Sequence, residues 1–338
     1  MKQYKTLVKH AKKRAVVPIL NCVRIKDGIA STTDLDFEIS VPLNADAVLL
    51  DNKAVYHAHG FDKWIFVKAD YPIEDFPDMT AHGDEIGSVT LTEKHMPSFE
   101  WVLLAAAKEK TRYYLNGIYF DKGAIIATDG HRLHSFAHDV TWGPRKPEPK
   151  KSGKKKADAP KAEIKPGVIL PTRACKMILE LMKDTKAKQC ELVFFSNNRF
   201  SATVGEVTIE GKLINGTFPE WKRVVPNQKN LKGKTILNGT EIKTVFPQVR
   251  VLTTIAAGSR TRAGIVIEKG KMRTANLPGI SREWNVTTDI PFQVGFDVKY
   301  LNEVGSGILE YTDAASPFKI TDRRGSIERM AVLMPMRV

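Results

Sequence analysis

Apolar and polar residues alternate in three short segments that align without gaps. Residues 21–34 read NCVRIKDGIASTTD, residues 116–129 read NGIYFDKGAIIATD and residues 263–276 read AGIVIEKGKMRTAN. In each, apolar side chains recur two apart, at Val23/Ile25, Ile118/Phe120 and Ile265/Ile267, the period of a half-buried strand. A turn follows with glycine at the same place, Gly28, Gly123 and Gly270, where a positive φ costs glycine little. A second strand then ends in Thr-Asp, Thr-Asp and Ala-Asn. The pattern predicts three β-hairpins.

Each hairpin follows a stretch with helical spacing. Residues 4–13 set Leu7, Val8 and Ala11 on one face and Lys5, Lys9, Lys12 and Lys13 on another. Residues 97–110 open on Pro97, which suits a first helical turn. Residues 240–256 space Ile242, Val245, Phe246, Val249 and Leu252 along one side. Two further helices, 171–183 and 297–304, fit the second halves of the second and third repeats; the first has no counterpart, and residues 45–70 read as strands. The repeat ends echo one another as YPIEDFPDM (71–79), FPEWKRVVP (218–226) and VLMPMRV (332–338). The expected fold is α+β, with three similar helix-plus-antiparallel-sheet domains at 1–86, 87–229 and 230–338.

Composition narrows the function. With 42% hydrophobic residues in 338, the chain can bury several cores. The opening MKQYKTLVKHAKKR lacks the apolar run of a signal peptide, and no apolar stretch is long enough to span a bilayer, so a soluble, cytoplasmic protein is expected. Cys22, Cys175 and Cys190 are odd in number without CxxC spacing, which favours buried thiols over disulfides or zinc. The net charge of +14, from 52 basic and 38 acidic residues, favours a polyanionic partner: nucleic acid first, an anionic membrane second. Residues 143–166 hold nine Lys/Arg, three Asp/Glu and five prolines without apolar period, and are expected to be a disordered insertion within the second domain. Without that surplus of six charges the remainder is still +8.

At residues 112–133 the chain reads RYYLNGIYFDKGAIIATDGHRL, which resembles the second-domain signature of the bacterial DNA polymerase III beta subunit, the sliding clamp family. PIL at 18–20, TTDLDFEI at 32–39 and YPIEDFPDM resemble that family's first domain. FPEWKRVVP resembles its second-to-third junction, and FDVKYLNEV at 296–304 and the terminal MPMRV resemble its third domain. The resemblance implies helices backed by sheets in each domain and two chains joined head to tail in a closed ring around duplex DNA. The ring would tether polymerase and engage a clamp loader through short apolar peptides. By resemblance the edge at 66–68 should meet the third domain's first helix near Val251 and Leu252. The short first domain, the basic balance and the Lys-rich insertion depart from the family and point to a divergent clamp of phage or mobile-element origin. The expected setting is bacterial cytoplasm or nucleoid, or a phage-infected cell.

A ring that holds DNA without reading its sequence needs Lys/Arg at phosphate distance. Candidates are Lys5, Lys9, Lys12 and Lys13, then Lys108 and Lys110, then Arg173, Lys176 and Lys183, although each alone is more often a solvated helix face. The resemblance adds Arg24, Arg112, Tyr113 and Tyr114, with one tyrosine expected in the core. It also implies a partner-peptide pocket of Leu115, Thr128, Gly130, His131, Arg132, Leu133, Pro219, Arg223, Val224, Tyr300, Val332, Met334, Pro335, Met336, Arg337 and Val338. Adaptable methionines suit several partners, and Arg132, Arg223 and Arg337 are the candidate polar anchors. Asp297 stands where the family often has Asn, and Arg262 where an aromatic occurs, so partner preference should differ. No cofactor, metal site or catalytic residue is expected.

Two other classes remain open. Asp129 and His131 could serve a nuclease, but there is no second carboxylate cluster, HExxH, P-loop or GxSxG, and Thr128-Asp129 recurs as Thr33-Asp34 as turn residues do. A monomeric, sequence-nonspecific DNA-binding protein accounts for the charge but not for the pocket motifs.

Overall fold

The structure, a computed structural model, describes residue 7 and residues 16–43, 53–59, 65–80, 82–143, 167–258, 262–275, 277 and 279–337. The helix expected at 4–13, apart from a buried helical Leu7, and the insertion beyond Gly143 lie outside the described residues. The described residues fall into two compact units. One lies within Met1–Met96, Phe120–Lys122 and Asp139–Asn215, the other within Pro97–Tyr119, Gly123–His138 and Gly216–Val338. The α-helices described from end to end are α1 (Met96–Leu103), α2 (Thr172–Thr185), α3 (Gly239–Ala257) and α4 (Val298–Val304). No helix among the described residues is long and apolar enough to cross a membrane.

Strands are numbered along the chain. The first unit holds a ten-stranded sheet. Its first-repeat strands are β1 (Cys22–Lys26), β2 (Ile29–Thr33), β3 (Phe37–Pro42), β4 (Lys53–His59) and β5 (Ile65–Lys68). Its second-repeat strands are β6 (Glu85–Thr92), β10 (Thr141–Trp142), β12 (Gln189–Phe195), β13 (Arg199–Val204) and β14 (Val207–Lys212). The order is β10-β6-β12-β13-β14-β3-β2-β1-β4-β5. Asp27 and Gly28 turn β1 into β2 with φ of 52° and 74°, the left-handed pair of a two-residue hairpin. β13 and β14 alternate buried and half-buried residues, as the period of two demands.

The seam between the repeats is β14 on β3, where Gly211 faces Phe37. A Cβ on Gly211 would lie 2.5 Å from the Phe37 ring and 2.9 Å from the Asp36 carbonyl oxygen, so even alanine would push the strands apart. From β11 (Val168–Pro171) the chain enters α2, whose Ala174, Cys175, Ile178, Leu181 and Met182 are buried at spacings of one, three and four. That face packs on β12, β13 and β14. Each large apolar side chain there contributes roughly 1.5–3 kcal/mol. Lys186, at φ 55°, ends the helix in the left-handed conformation.

In the second unit one sheet runs β7 (Gly117–Phe120), β8 (Ala124–Thr128), β9 (Arg132–Ala137), β22 (Ile327–Leu333), β21 (Phe318–Arg324), β20 (Gly307–Tyr311), β15 (Gly233–Leu237). A second sheet runs β18 (Glu283–Asn285), β17 (Lys271–Thr274), β16 (Gly264–Glu268), β19 (Val294–Asp297). The third hairpin turns on Lys269 and Gly270, φ 46° and 75°, as the first does. The second hairpin differs: Gly123 is not among the positive-φ glycines, and its three-residue turn is held by Asp121 Oδ1 accepting from Lys122 N at 2.8 Å. Helix α1 stops at Leu103, short of the predicted 110. The Ala107 N–H goes to the Leu115 carbonyl at 2.9 Å, and Asn116 bonds both the N–H and C=O of Glu109, which removes those groups from helical pairing.

The two Thr-Asp strand ends build the same turn. Thr128 Oγ1 donates to the Arg132 carbonyl at 2.6 Å and accepts from Gly130 N at 3.0 Å, while Asp129 Oδ1 accepts from His131 N and Arg132 N at 2.9 and 3.1 Å. In the first repeat Thr33 Oγ1 donates to the Phe37 carbonyl at 2.9 Å and accepts from Leu35 N at 3.1 Å, while Asp34 Oδ1 accepts from Asp36 N and Phe37 N at 3.2 and 3.0 Å. Leu35 takes the left-handed φ of 74° where Gly130 has 87°.

Candidate functional site

The site in the second unit is built outward from the β8–β9 turn. Asp129 is fully engaged there: besides its two backbone bonds, Oδ2 accepts from Arg132 Nε at 3.2 Å. A nuclease would need that carboxylate free, and among the described residues no group of three His, Cys, Asp or Glu side chains could hold a metal. Gly130 faces the Arg112 guanidinium, which a Cβ would strike. Arg112 in turn donates to both Glu109 carboxylate oxygens at 2.8 and 2.7 Å and to the Asp129 carbonyl at 3.2 Å. This pairing holds Glu109 below the usual carboxylate range and raises Arg112.

Arg132 is 5% exposed. Its guanidinium bonds Asp129, Glu303 and the Leu104 carbonyl, and its Cζ lies 4.3 Å from the Tyr300 ring centroid. Burial pulls its pKa down against the neighbouring carboxylates. The expected polar anchor is therefore an internal tie. Its cation is desolvated and already paired, so it holds the turn to α4. Burial also pushes the half-buried Tyr300 hydroxyl up, and raises Asp297, which caps α4 by accepting from Lys299 N at 2.9 Å.

Behind Arg132 lies an aromatic stack. Trp101 Nε1 donates to the Glu303 carbonyl at 2.9 Å, its ring stacks on His134 at 4.1 Å, and the Arg329 guanidinium sits 4.4 Å from the same ring. Arg329 is held by Asp322. His134 is fully buried and its pKa is driven down to about 3, so its neutral Nδ1–H donates to the Trp101 carbonyl at 2.9 Å. Its Nε2 is buried without a partner.

The C-terminal tail runs along this turn. β22 pairs with β9 through Leu333↔Arg132 and Val332↔Leu133. The tail then leaves the sheet: Met334 N donates to the His131 carbonyl at 3.0 Å, and Met336 N to the Gly295 carbonyl at 2.8 Å. Met334 is 38% exposed, Pro335 and Met336 are half-buried, and Arg337 is exposed; Val338 lies outside the described residues. Arg262 Nη2 reaches His131 Nε2 at 3.2 Å. The structure thus brings Thr128, Gly130, His131, Arg132, Tyr300 and the tail together. Leu115, Leu133 and Val332 are core residues, each 2% exposed, Leu115 at the end of the 3-10 turn Tyr113–Leu115 and the other two paired across β9 and β22. Pro219, Arg223 and Val224 are exposed on the segment that follows Phe218, which stacks on Tyr119 at 4.5 Å. A separate groove of about 480 Å³, lined by Ile236, Leu237, Ile308 and Arg323 among others, includes none of these candidates.

The candidate DNA contacts divide. Lys5, Lys9 and Lys12 lie outside the described residues, as does Lys13; Lys108, Lys110, Lys176 and Lys183 are exposed. Arg24 requires correction. It is 8% exposed, and its guanidinium bonds Glu38 at 2.8 Å and Ser31 at 3.2 Å, because β1 and β3 face each other's charges across β2. Burial nonetheless raises the Glu38 carboxyl above its usual range. Arg173 pairs with Asp34 and lies over the Phe37 ring. Neither tyrosine is a core residue: Tyr113 is 52% exposed and Tyr114 half-buried, their rings edge to face at 5.9 Å.

Among known proteins, the Proteus mirabilis beta sliding clamp is 28% identical over 322 residues, covering 89% of this chain and 77% of that one. The Caulobacter vibrioides beta sliding clamp is 29% identical over 287 residues, covering 79% and 70%. The chain is thus similar over most of its length to beta sliding clamps, at under 30% identity. No family model matches the sequence. The fold agrees: the crystal structure of the Thermotoga maritima DNA polymerase III beta subunit superposes with a TM-score of 0.72 at 19% identity, covering all of this chain and 96% of that one. The Bartonella birtlesii sliding clamp gives 0.70 at 24%, again over all of this chain and 96% of that one.

Sequence reading missed the residues that hold Arg132. Glu303 lies 171 positions away from it and Trp101 carries no polar signal for its role. Only the spacing of Lys299 and Glu303, one turn apart on α4, hinted that Glu303 faces the same side.

Proposed function

We propose that the chain is a DNA sliding clamp, a non-catalytic processivity factor that encircles duplex DNA and tethers polymerase in the bacterial cytoplasm. What supports a ring is a pairing rule that repeats within the chain. β14, the last strand of the second repeat, pairs with β3, the third hairpin strand of the first; β22, the last strand of the third, pairs with β9 of the second. The same rule leaves β18 of the third repeat and β5 of the first as sheet edges. Two chains joined head to tail through β18 and β5 pair both of these edges, and a closed ring leaves neither of the two open. The three repeats at 1–86, 87–229 and 230–338 are the proposed domains. The exposed Lys108, Lys110, Lys176 and Lys183 are the proposed phosphate contacts.

Polymerase and clamp loader dock by short apolar peptides at the slot formed by His131, Tyr300 and the tail, with Met334 as its adaptable wall. Burying two or three apolar side chains gives about 1.5–3 kcal/mol each before ordering costs, which leaves an affinity on the order of micromolar. Deleting residues 334–338 removes the backbone bonds to His131 and Gly295 and the Met334 wall. Titration of a labelled Gln-x-x-Leu-x-Leu peptide should then show no binding, and polymerase stimulation should be lost, while oligomeric mass is unchanged. Normal peptide binding by the truncated protein would contradict the slot assignment.

A further inference from the structure

We propose that the slot selects apolar peptides that also carry carboxylates, and that Arg262 sets this preference. The inference rests on the partner-slot reading above and names the chemistry of the partner. Three of the acids around the slot are turned inward, and a fourth, the part-exposed Glu109, is already paired with Arg112. Asp129 caps its turn and holds Arg132, Glu303 holds Arg132 from α4, and Asp297 caps α4 at 8% exposure. The cations are the reverse. Arg262 is exposed beside His131, Lys299 has a 52% exposed side chain with only a 3.8 Å approach to Glu303, and Arg337 is exposed at the end of the tail.

The backbone segments that carry these three cations are neighbours. Arg262 enters β16 two residues before Gly264, Gly264 pairs with Asp297 two residues before Lys299, and Gly295 on the same strand receives the Met336 N–H next to Arg337. A peptide whose apolar anchor enters beside Met334 therefore passes a solvent-facing cationic rim, where the part-exposed acid Glu109 is already paired with Arg112. Rim charges contribute little raw affinity but discriminate between partners and steer their approach. Arg262 is the most direct of the three, since its guanidinium already touches a slot residue.

The test uses the full chain and two synthetic peptides with the same Gln-x-x-Leu-x-Leu anchor. One carries Asp and Glu at the variable and flanking positions, the other Asn and Gln. Fluorescence anisotropy should give about fivefold tighter binding of the acidic peptide at low salt, shrinking as salt rises. Arg262→Glu should cancel or invert that ratio, the readout being the ratio of the two affinities in each protein rather than either affinity alone. Equal affinities in the unmodified protein, or a ratio that survives Arg262→Glu, would overturn the proposal. If neither peptide binds the unmodified protein, the slot reading itself is overturned, and this proposal with it.

Discussion

At the residue scale, one connected chain of contacts in the second unit runs from Asp322 through Arg329, Trp101 and Glu303 to Arg132, with His134 stacked against Trp101. His134 gives this network a pH signature. Burial lowers its pKa from 6.5 to about 3, so the unfolded chain takes up a proton near neutrality that the folded chain refuses. Its contribution to stability is fully present above about pH 6.5 and is lost as pH falls toward 3, at up to ~1.4 kcal/mol per pH unit. Urea unfolding of the second unit between about pH 7.5 and 5 should show this slope, and His134→Phe should flatten it even though it lowers absolute stability. An equal slope in the variant would assign the acid sensitivity elsewhere. None of this was legible in the sequence, because a lone histidine on a strand does not announce what stacks on it. Arg24 and Arg132 misled for the same reason. Sequence shows the charge but not the carboxylate, 14 and 171 residues away, that neutralises it.

At the scale of elements, the hairpins were readable because a period of two and a turn glycine are local signals, and α3 falls within one residue of expectation at each end. The strands expected within 45–70 were readable too where that stretch is described: β4 pairs directly with β1 and β5 with β4. The length of α1 was not, since long-range bonds from Leu115 and Asn116 end it. Nor were the β14–β3 and β22–β9 seams, which join segments far apart in the chain. Helix α3 leaves Val251 and Ile255 exposed by 57% and 70%, an apolar surface suited to the head-to-tail contact expected near Val251 and Leu252. Val251→Asp combined with Ile255→Asp should weaken that contact by on the order of 100-fold or more, since burying each side chain is worth roughly 1.5–3 kcal/mol. Light scattering after size exclusion should then report a monomer where the unmodified chain gives a dimer, with unchanged thermal unfolding of the monomer. A dimer of undiminished stability would place the contact elsewhere.

At the scale of the whole molecule, the net charge of +14 and a topological link to DNA make opposite demands on salt. Phosphate contacts release counterions and fade as salt rises, whereas a closed ring on a circle has no end to leave by. A monomeric basic protein, the main competing account of the charge, can bind circles only in the first way. The direct test is to load the protein with a bacterial clamp loader and ATP onto nicked circular DNA, wash at about 1 M salt, and cut the circle once with a restriction enzyme. A sliding clamp stays with the circle through the wash and is released on linearisation. Loss in the wash, or equal retention on circular and linear DNA, would contradict encirclement.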